Sequence, residues 1–340
     1  LNQTGRILTY LSLVGTLKNR FDVDQWCKAH PEFAQQKIEN PIFILGLPRT
    51  GTTALFNMLA DVPGLRAPLG WEVNKPIPPV KYAERFSDPR ITATQKEFDA
   101  FFYLTPKLKA IHDFGALLPQ ECIAFTNYDL YSIHNFVSYQ VPAYTDWYEQ
   151  HSLTSVFNFH KQFLQCLQSD FPAQHWLLKT PAHLTAIEQI FETYPDARII
   201  QTHRNPMEIM GSLCSFSWHL RSTFSDQVDC HHIGQEELHM WSKALNKAME
   251  SRNQLKDKHN QIIDIMYEDF VQDPVASIKN ILEKFNLPRD ATVIEKLKAH
   301  AVNNQKDRHG KHTYDLKDFG LDRNRDKHFF ADYCTKFNLL

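Results

Sequence analysis

The longest apolar stretches of this 340-residue chain are strand-sized, as at residues 42 to 47, and none approaches the roughly 20 residues that cross a bilayer. No membrane span is expected. An excess of positive charge is also missing: 37 Lys+Arg against 39 Asp+Glu leave a formal charge of -2. No global field therefore draws the chain to nucleic acid or to an acidic membrane, and any anion site has to be local. The six cysteines (Cys27, Cys122, Cys166, Cys214, Cys230, Cys334) contain no C-x-x-C pair, which fits reduced thiols and a cytoplasmic location better than a disulfide framework. There is no internal repeat and no low-complexity tract. The chain starts at Leu1 with neither a methionine nor a leader-like segment, and reads as a trimmed or excised piece.

The punctuation along the chain is that of an α/β protein. Ile7, Leu8, Leu11, Val14 and Leu17 recur at helical spacing, predicting a helical N-terminal segment within residues 1–40 that ends near His30-Pro31. Residues 41–46 form a short continuous apolar run suited to a strand buried on both faces, and a helix is expected over 54–61. From 64 to 170 the chain is rich in aromatics and proline, with helices near 92–102 and 154–169 and no strand alternation, as in an irregular helical insertion. Strands are then predicted at 175–179, 198–202 and 261–266, and helices at 183–194, 206–220, 235–257, 275–285 and 291–301. Strands alternating with helices imply a parallel sheet with helices on both faces.

Each predicted strand ends in polar residues able to hold a phosphate: GLPRTGTT after the first, LLKTPAH, THRNP and MYED after the others. In parallel sheets the C-terminal strand ends are where ligands gather. Gly46-Leu-Pro-Arg-Thr-Gly-Thr-Thr53 resembles the phosphate loop G-x-x-x-x-G-K-[ST], yet Thr52 stands where the lysine belongs. The loop still offers the backbone amides of Thr50, Gly51, Thr52 and Thr53 at a helix start, with Arg49 as its cation. Arg204 and Ser212, eight residues apart around Pro206, can share one phosphate from a strand end and the following helix. An acid-tipped apolar strand at residues 262–269 keeps a magnesium-dependent kinase or NTPase open as an alternative. Asp229-Cys-His-His232 with His239 invites a zinc reading, but the ligand spacing is poor and a solvated loop is the simpler expectation.

These residues resemble the sulfotransferases, which move a sulfuryl group from 3′-phosphoadenosine 5′-phosphosulfate to a hydroxyl or amine. Pro48-Arg-Thr-Gly-Thr-Thr53 matches the family's 5′-phosphosulfate loop P-[KR]-[ST]-G-[ST]-[ST]; Arg204 and Ser212 match its 3′-phosphate motif; and Tyr267-Glu-Asp-Phe-Val-Gln-Asp-Pro274 is similar to the segment whose tyrosine lies by the adenine. In order, the three motifs span residues 41 to 286. The resemblance implies a P-loop-type three-layer α/β fold with a helical insertion after the first βα unit. It also implies a single domain over 41–340, with residues 64–170 shaping the acceptor cleft.

The finer resemblance is to the bacterial and Golgi-type branch, including the tyrosylprotein sulfotransferases, where a loop arginine, a K-x-P lysine and a glutamate beyond the loop act together. By that resemblance Arg49 and Lys179 would stabilise the transferring group and Glu72 would be the catalytic base, with Glu121 and His183 in reserve. Residues 305–325 look like a basic loop that closes over the cofactor, with Arg308, His309, Gly310 and Lys311 as contacts. Two departures limit the analogy to cytosolic animal enzymes: Ala54 replaces a tryptophan that packs on the adenine, and no histidine directly follows Lys179. The implied product is adenosine 3′,5′-bisphosphate, and the acceptor a small-molecule or carrier-bound hydroxyl. No metal is expected. The remaining alternative is a nucleotide-binding relative that has lost turnover.

Overall fold

The computed structural model describes residues 1–106, 114–303 and 314–339. Five strands, β1 (Ile42–Leu45), β2 (Leu65–Arg66), β3 (His175–Lys179), β4 (Arg198–His203) and β5 (Ile262–Met266), lie in the order β2-β3-β1-β4-β5. All of the pairings are parallel. The apolar run at β1 suits its central place, because a strand flanked on both sides and covered on both faces has no polar side to present. Alternation then sorts its residues. Ile42 and Ile44 join Leu177, Ile200 and Ile263 on one face, while Phe43 and Leu45 join Trp176, Leu178 and Ile199 on the other. Helices cover both faces, giving the P-loop-type three-layer α/β fold that the motifs imply.

The first face carries the helices Thr52–Ala60, Pro274–Lys284 and Ala291–Asn303. The second carries Leu153–Leu167, Ile187–Thr193, Pro206–Phe224 and Cys230–Gln254. Local chemistry sets several of these starts. Asn205 accepts from the Met207 amide at 3.0 Å with Pro206 at the first helical position, and Asp229 accepts from the amides of His231 and His232 at 2.9 and 3.1 Å. Residues 229–232 are thus a capped helix start and not the loop expected of them.

Two features go beyond what the spacing could give. The N-terminal helix (Gln3–Ala29) forms, but Ile7, Leu11, Val14 and Leu17 are exposed, and the line it buries is Gly5, Thr16 and Val23. Gly5 decides this, since a Cβ there would lie 2.2 Å from the Phe224 carbonyl oxygen, so the helix seats on its small residues. The insertion also supplies a strand that alternation could not reveal, because β2 is two residues long. Just beyond β2, residues 68–71 pair with 116–120 through Gly70 N–H to Leu118 O (3.0 Å), Trp71 N–H to Ala116 O (3.0 Å) and Gln120 N–H to Pro68 O (2.7 Å). That pairing delivers Glu121 to the sheet.

Candidate active site

The β1 turn is built before any ligand is considered. Gly46 has φ +147°, and a Cβ there would stand 2.2 Å from Thr202 Oγ1; Gly51 has φ +84° and caps the helix Thr52–Ala60. Both positions favour glycine because L side chains strain in this region. Arg49, at φ +68°, bears that strain with a side chain attached. The Thr50 hydroxyl is turned inward, donating to Leu47 O at 2.6 Å and lying 2.6 Å from Thr202 Oγ1, so it latches the loop to β4. The Thr50 hydroxyl is thereby engaged within the protein. The amides of Thr52 and Thr53 open the helix and have no carbonyl one turn back, which makes them anion donors.

Lys179 ends β3 on the face shared with Leu177, under the helix Thr52–Ala60. Its buried ammonium donates to Thr53 Oγ1 at 3.2 Å and forms an ion pair with Glu121. The cation absent after Gly51 therefore arrives from the neighbouring strand.

Arg204 links two of the other motifs to the loop. Its guanidinium donates to Arg49 O at 3.2 Å, lies 4.1 Å over the Tyr267 ring and has Glu208 at 3.3 Å. Gly51 approaches the same tyrosine: a Cβ on it would meet Phe270 Cδ1 at 3.1 Å and Tyr267 Cδ2 at 3.5 Å. Ser212 is buried in the helix Pro206–Phe224, beside Gly211, whose missing Cβ makes room for the Tyr314 ring. Tyr314, Thr202 and Glu208 are site neighbours that motif reasoning did not single out. Thr202 had a signal in its place in the strand end THRNP, and Tyr314 in the segment 305–325. Arg308, His309, Gly310 and Lys311 lie outside the described residues.

The two candidate acids have different partners. Glu72 is almost fully buried, with one oxygen 2.6 Å from an Arg66 nitrogen and the other accepting the Leu69 amide at 3.0 Å. Burial lowers the Arg66 pKa, and the Glu72 charge opposes this. Arg66 in turn lies 3.9 Å over the Phe171 ring and 4.5 Å over that of Trp176, at the opposite end of β3 from Lys179. Three residues of strand, about 10 Å, separate Trp176 from Lys179. The carboxylate beside the loop is Glu121. His183 is buried against Phe43 (5.2 Å) and Phe157 (5.8 Å), and burial pushes its pKa down to about 3.

The acids that tip the segment 262–269, Glu268 and Asp269, fall in the first turn of the helix Tyr267–Gln272, and the acid within the strand is paired inside the protein. Asp264 on β5 accepts two bonds from Arg252 (2.6 and 2.8 Å) and lies 2.8 Å from His203 Nε2. Of the aromatics in the insertion, Tyr128, Tyr131, Phe136 and Tyr148 are core, whereas Tyr103 and Trp147 are exposed.

A phosphate loop after the first strand of a parallel sheet, with cations supplied by the ends of β3 and β4, defines a P-loop-like α/β protein. The chain belongs to the sulfotransferase family, whose model matches residues 41–291. It is similar to sulfotransferase STF9 from Mycobacterium avium at 26% identity, covering 100% of this chain and 87% of that one with a TM-score of 0.90. It is also similar to sulfotransferase STF1 from Mycobacterium tuberculosis H37Rv at 28% identity, covering 98% and 87% with a TM-score of 0.86. No curated protein matches the chain. Among the described residues no helix is long and apolar enough to cross a membrane.

Proposed function

We propose that the chain transfers a sulfuryl group from 3′-phosphoadenosine 5′-phosphosulfate to an acceptor hydroxyl, leaving adenosine 3′,5′-bisphosphate. The observation that carries this reading is the convergence of the Gly46–Thr53 loop, Lys179, and Arg204 stacked on Tyr267. The amides of Thr50, Gly51, Thr52 and Thr53 with Arg49 would hold the 5′-phosphosulfate, Arg204 and Ser212 the 3′-phosphate, and Tyr267 the adenine. The donor, when bound, supplies an activated sulfate whose sulfur–oxygen bond to the nucleotide breaks as the acceptor's oxygen bonds to sulfur.

Lys179, from a buried position, and Arg49, from the exposed loop, would act where negative charge grows on the leaving oxygen. Glu121 is better placed than Glu72 to take the acceptor proton, because it lies at the Lys179 ammonium while Glu72 is held by Arg66 and the Leu69 amide. Residues 64–170 would shape the acceptor cleft within a domain running from 41 to 340, preceded by the helical segment 1–40. Arg308, His309, Gly310 and Lys311 would close over the donor. A cytoplasmic location agrees with the cysteine usage.

Thermal denaturation tests the reading. Adenosine 3′,5′-bisphosphate without magnesium should raise the melting temperature, by an amount equivalent to about 2.7 kcal/mol at a hundredfold excess over its Kd. Stabilisation by magnesium-ATP alone would instead favour a kinase or NTPase. A labelled-sulfate assay over an acceptor library separates an active enzyme from a relative that only binds.

A further inference from the structure

On the opposite face of the sheet from the Lys179 ammonium, three side chains from distant parts of the chain converge in the core. Cys122 opens the short helix Cys122–Thr126, His160 sits in the helix Leu153–Leu167, and His183 lies in the turn Pro181–Thr185 that follows β3. All three are buried, and one donor atom of each lies within 4.8 Å of the other two. Around a tetrahedral zinc such atoms stand about 3.3–3.6 Å apart, so a closure of little more than an ångström brings them to bonding distance. The proposed function makes no use of them.

The nitrogens carry the strongest indication. Nε2 of His160 and Nε2 of His183 are both buried and have no hydrogen-bond partner. A single orphaned imidazole nitrogen is uncommon in a close-packed core, and two on rings that cluster with one thiol ask for a shared partner. Their surroundings also have the form of a ligand's outer shell. His160 Nδ1 lies 2.8 Å from the Tyr194 hydroxyl, which fixes the ring and, with the proton on Nδ1, turns the Nε2 lone pair inward. Burial pushes the Cys122 thiol well above its ordinary range, and the backbone amides of Lys179 and of Cys122 itself, which point at the sulfur, only partly oppose this. No acidic side chain belongs to the cluster, so its donors are soft or borderline ones suited to zinc(II) or copper(I), and unlike the oxygen sets that take magnesium or calcium.

We infer that Cys122, His160 and His183 bind a thiophilic d10 cation, zinc(II) or copper(I), as a structural centre beneath the active site. Copper(I) accepts the three ligands alone. Zinc needs a fourth, and a cavity of about 20 Å³ beside His183, lined by Ile123 and Phe157 but by neither Cys122 nor His160, has room for one water. Binding exchanges the thiol proton for the metal and releases that proton to solvent, with no change of oxidation state. The ion would tie together the residue after Glu121, the turn after Lys179 and the helix packed on Phe43. It revises the expectation of a protein without metal, although it takes no part at the transferring group.

The test uses the full chain without a histidine tag, produced in medium supplemented with zinc or with copper and dialysed extensively before elemental analysis. The expected result is a single retained ion per chain. Cobalt(II) substituted for it should show a thiolate-to-cobalt charge-transfer band that is lost in Cys122→Ser. Tyr194→Phe, which keeps the packing and removes only the outer partner, should weaken metal binding by about 10–100-fold. X-ray absorption at the metal edge separates the two ions by coordination number. If the wild-type chain, refolded with each ion in turn, retains neither and gives no thiolate band with cobalt, the site is a packed core cluster and the inference is overturned. These readouts need no sulfuryl donor, so their failure leaves the proposed transfer reaction standing, and the reverse also holds.

Discussion

The ammonium of Lys179 is bound to the carboxylate of Glu121 and stands 3.2 Å from the hydroxyl of Thr53, so a lysine from β3 and an acid from the insertion meet at the mouth of the phosphate loop. The pair joins a group that can neutralise charge to one that can accept a proton. On the proposed function, their contact is where the transfer would take place.

Glu121→Gln should therefore reduce kcat by about 10²–10⁴-fold while leaving bisphosphate affinity nearly unchanged. Glu72→Gln should act on stability, because it leaves the Arg66 charge buried without its partner, at a cost of about 3–5 kcal/mol. Turnover measured beside urea denaturation distinguishes the two. A well-folded, inactive Glu72→Gln together with an active Glu121→Gln would reverse the assignment.

Gly51 combines φ +84° with the Phe270 ring 3.1 Å from where a Cβ would sit. Gly51→Ala should cost about 1–3 kcal/mol and shift the loop against the Tyr267–Gln272 helix. Denaturation midpoints and bisphosphate titration should fall together. Unchanged binding in a destabilised variant would mean that the loop's shape does not depend on this contact.

Arg204→Lys keeps the charge but removes the planar group stacked 4.1 Å over Tyr267. A stacked guanidinium is not matched by an ammonium, and the loss should weaken bisphosphate binding by about tenfold, or about 1.4 kcal/mol, with little change in melting temperature. Calorimetric titration reads this directly, and equal affinity would take Arg204 out of the binding site.

The cluster behind Arg204 makes stability sensitive to acid. His203 is fully buried, and burial lowers its pKa, with Asp264 opposing and the Arg252 and Lys336 charges adding to the fall. Burial pushes Asp264 up, but the bonds from Arg252 and His203 outweigh it and leave the carboxyl below its usual range. In both cases the unfolded chain binds protons more readily than the folded one, so stability rises with pH. The contribution of His203 is complete above its unfolded pKa of about 6.5 and is lost as pH falls below it; that of Asp264 is lost below about pH 3.9. Urea midpoints should fall between pH 7 and pH 5, and His203→Gln should flatten that slope. An identical slope in the variant would show that other groups control the transition.

Much of the frame could be read from the chain because the information is local. The apolar run at β1, the glycines of the loop, Pro206 behind the Asn205 cap and the spacing of Arg204 and Ser212 each act over a few residues, and the structure places the corresponding strands and helices where the periodicity puts them. β2 was hidden because two residues carry no alternation, and the packed face of the N-terminal helix could not be read because periodicity reports that a helix has two faces without saying which one packs.

The sequence by itself determined the order of strands and helices, the missing lysine after Gly51 and the residue types at each strand end, since these follow from backbone preference and short-range spacing. Only the tertiary structure decided which acid meets Lys179. Glu121 is 58 residues from that lysine, and the strand-like pairing of residues 68–71 with 116–120 carries it there, while the same fold occupies Glu72 with Arg66. Contacts of that range depend on how an irregular insertion packs, and neither propensity nor spacing encodes them.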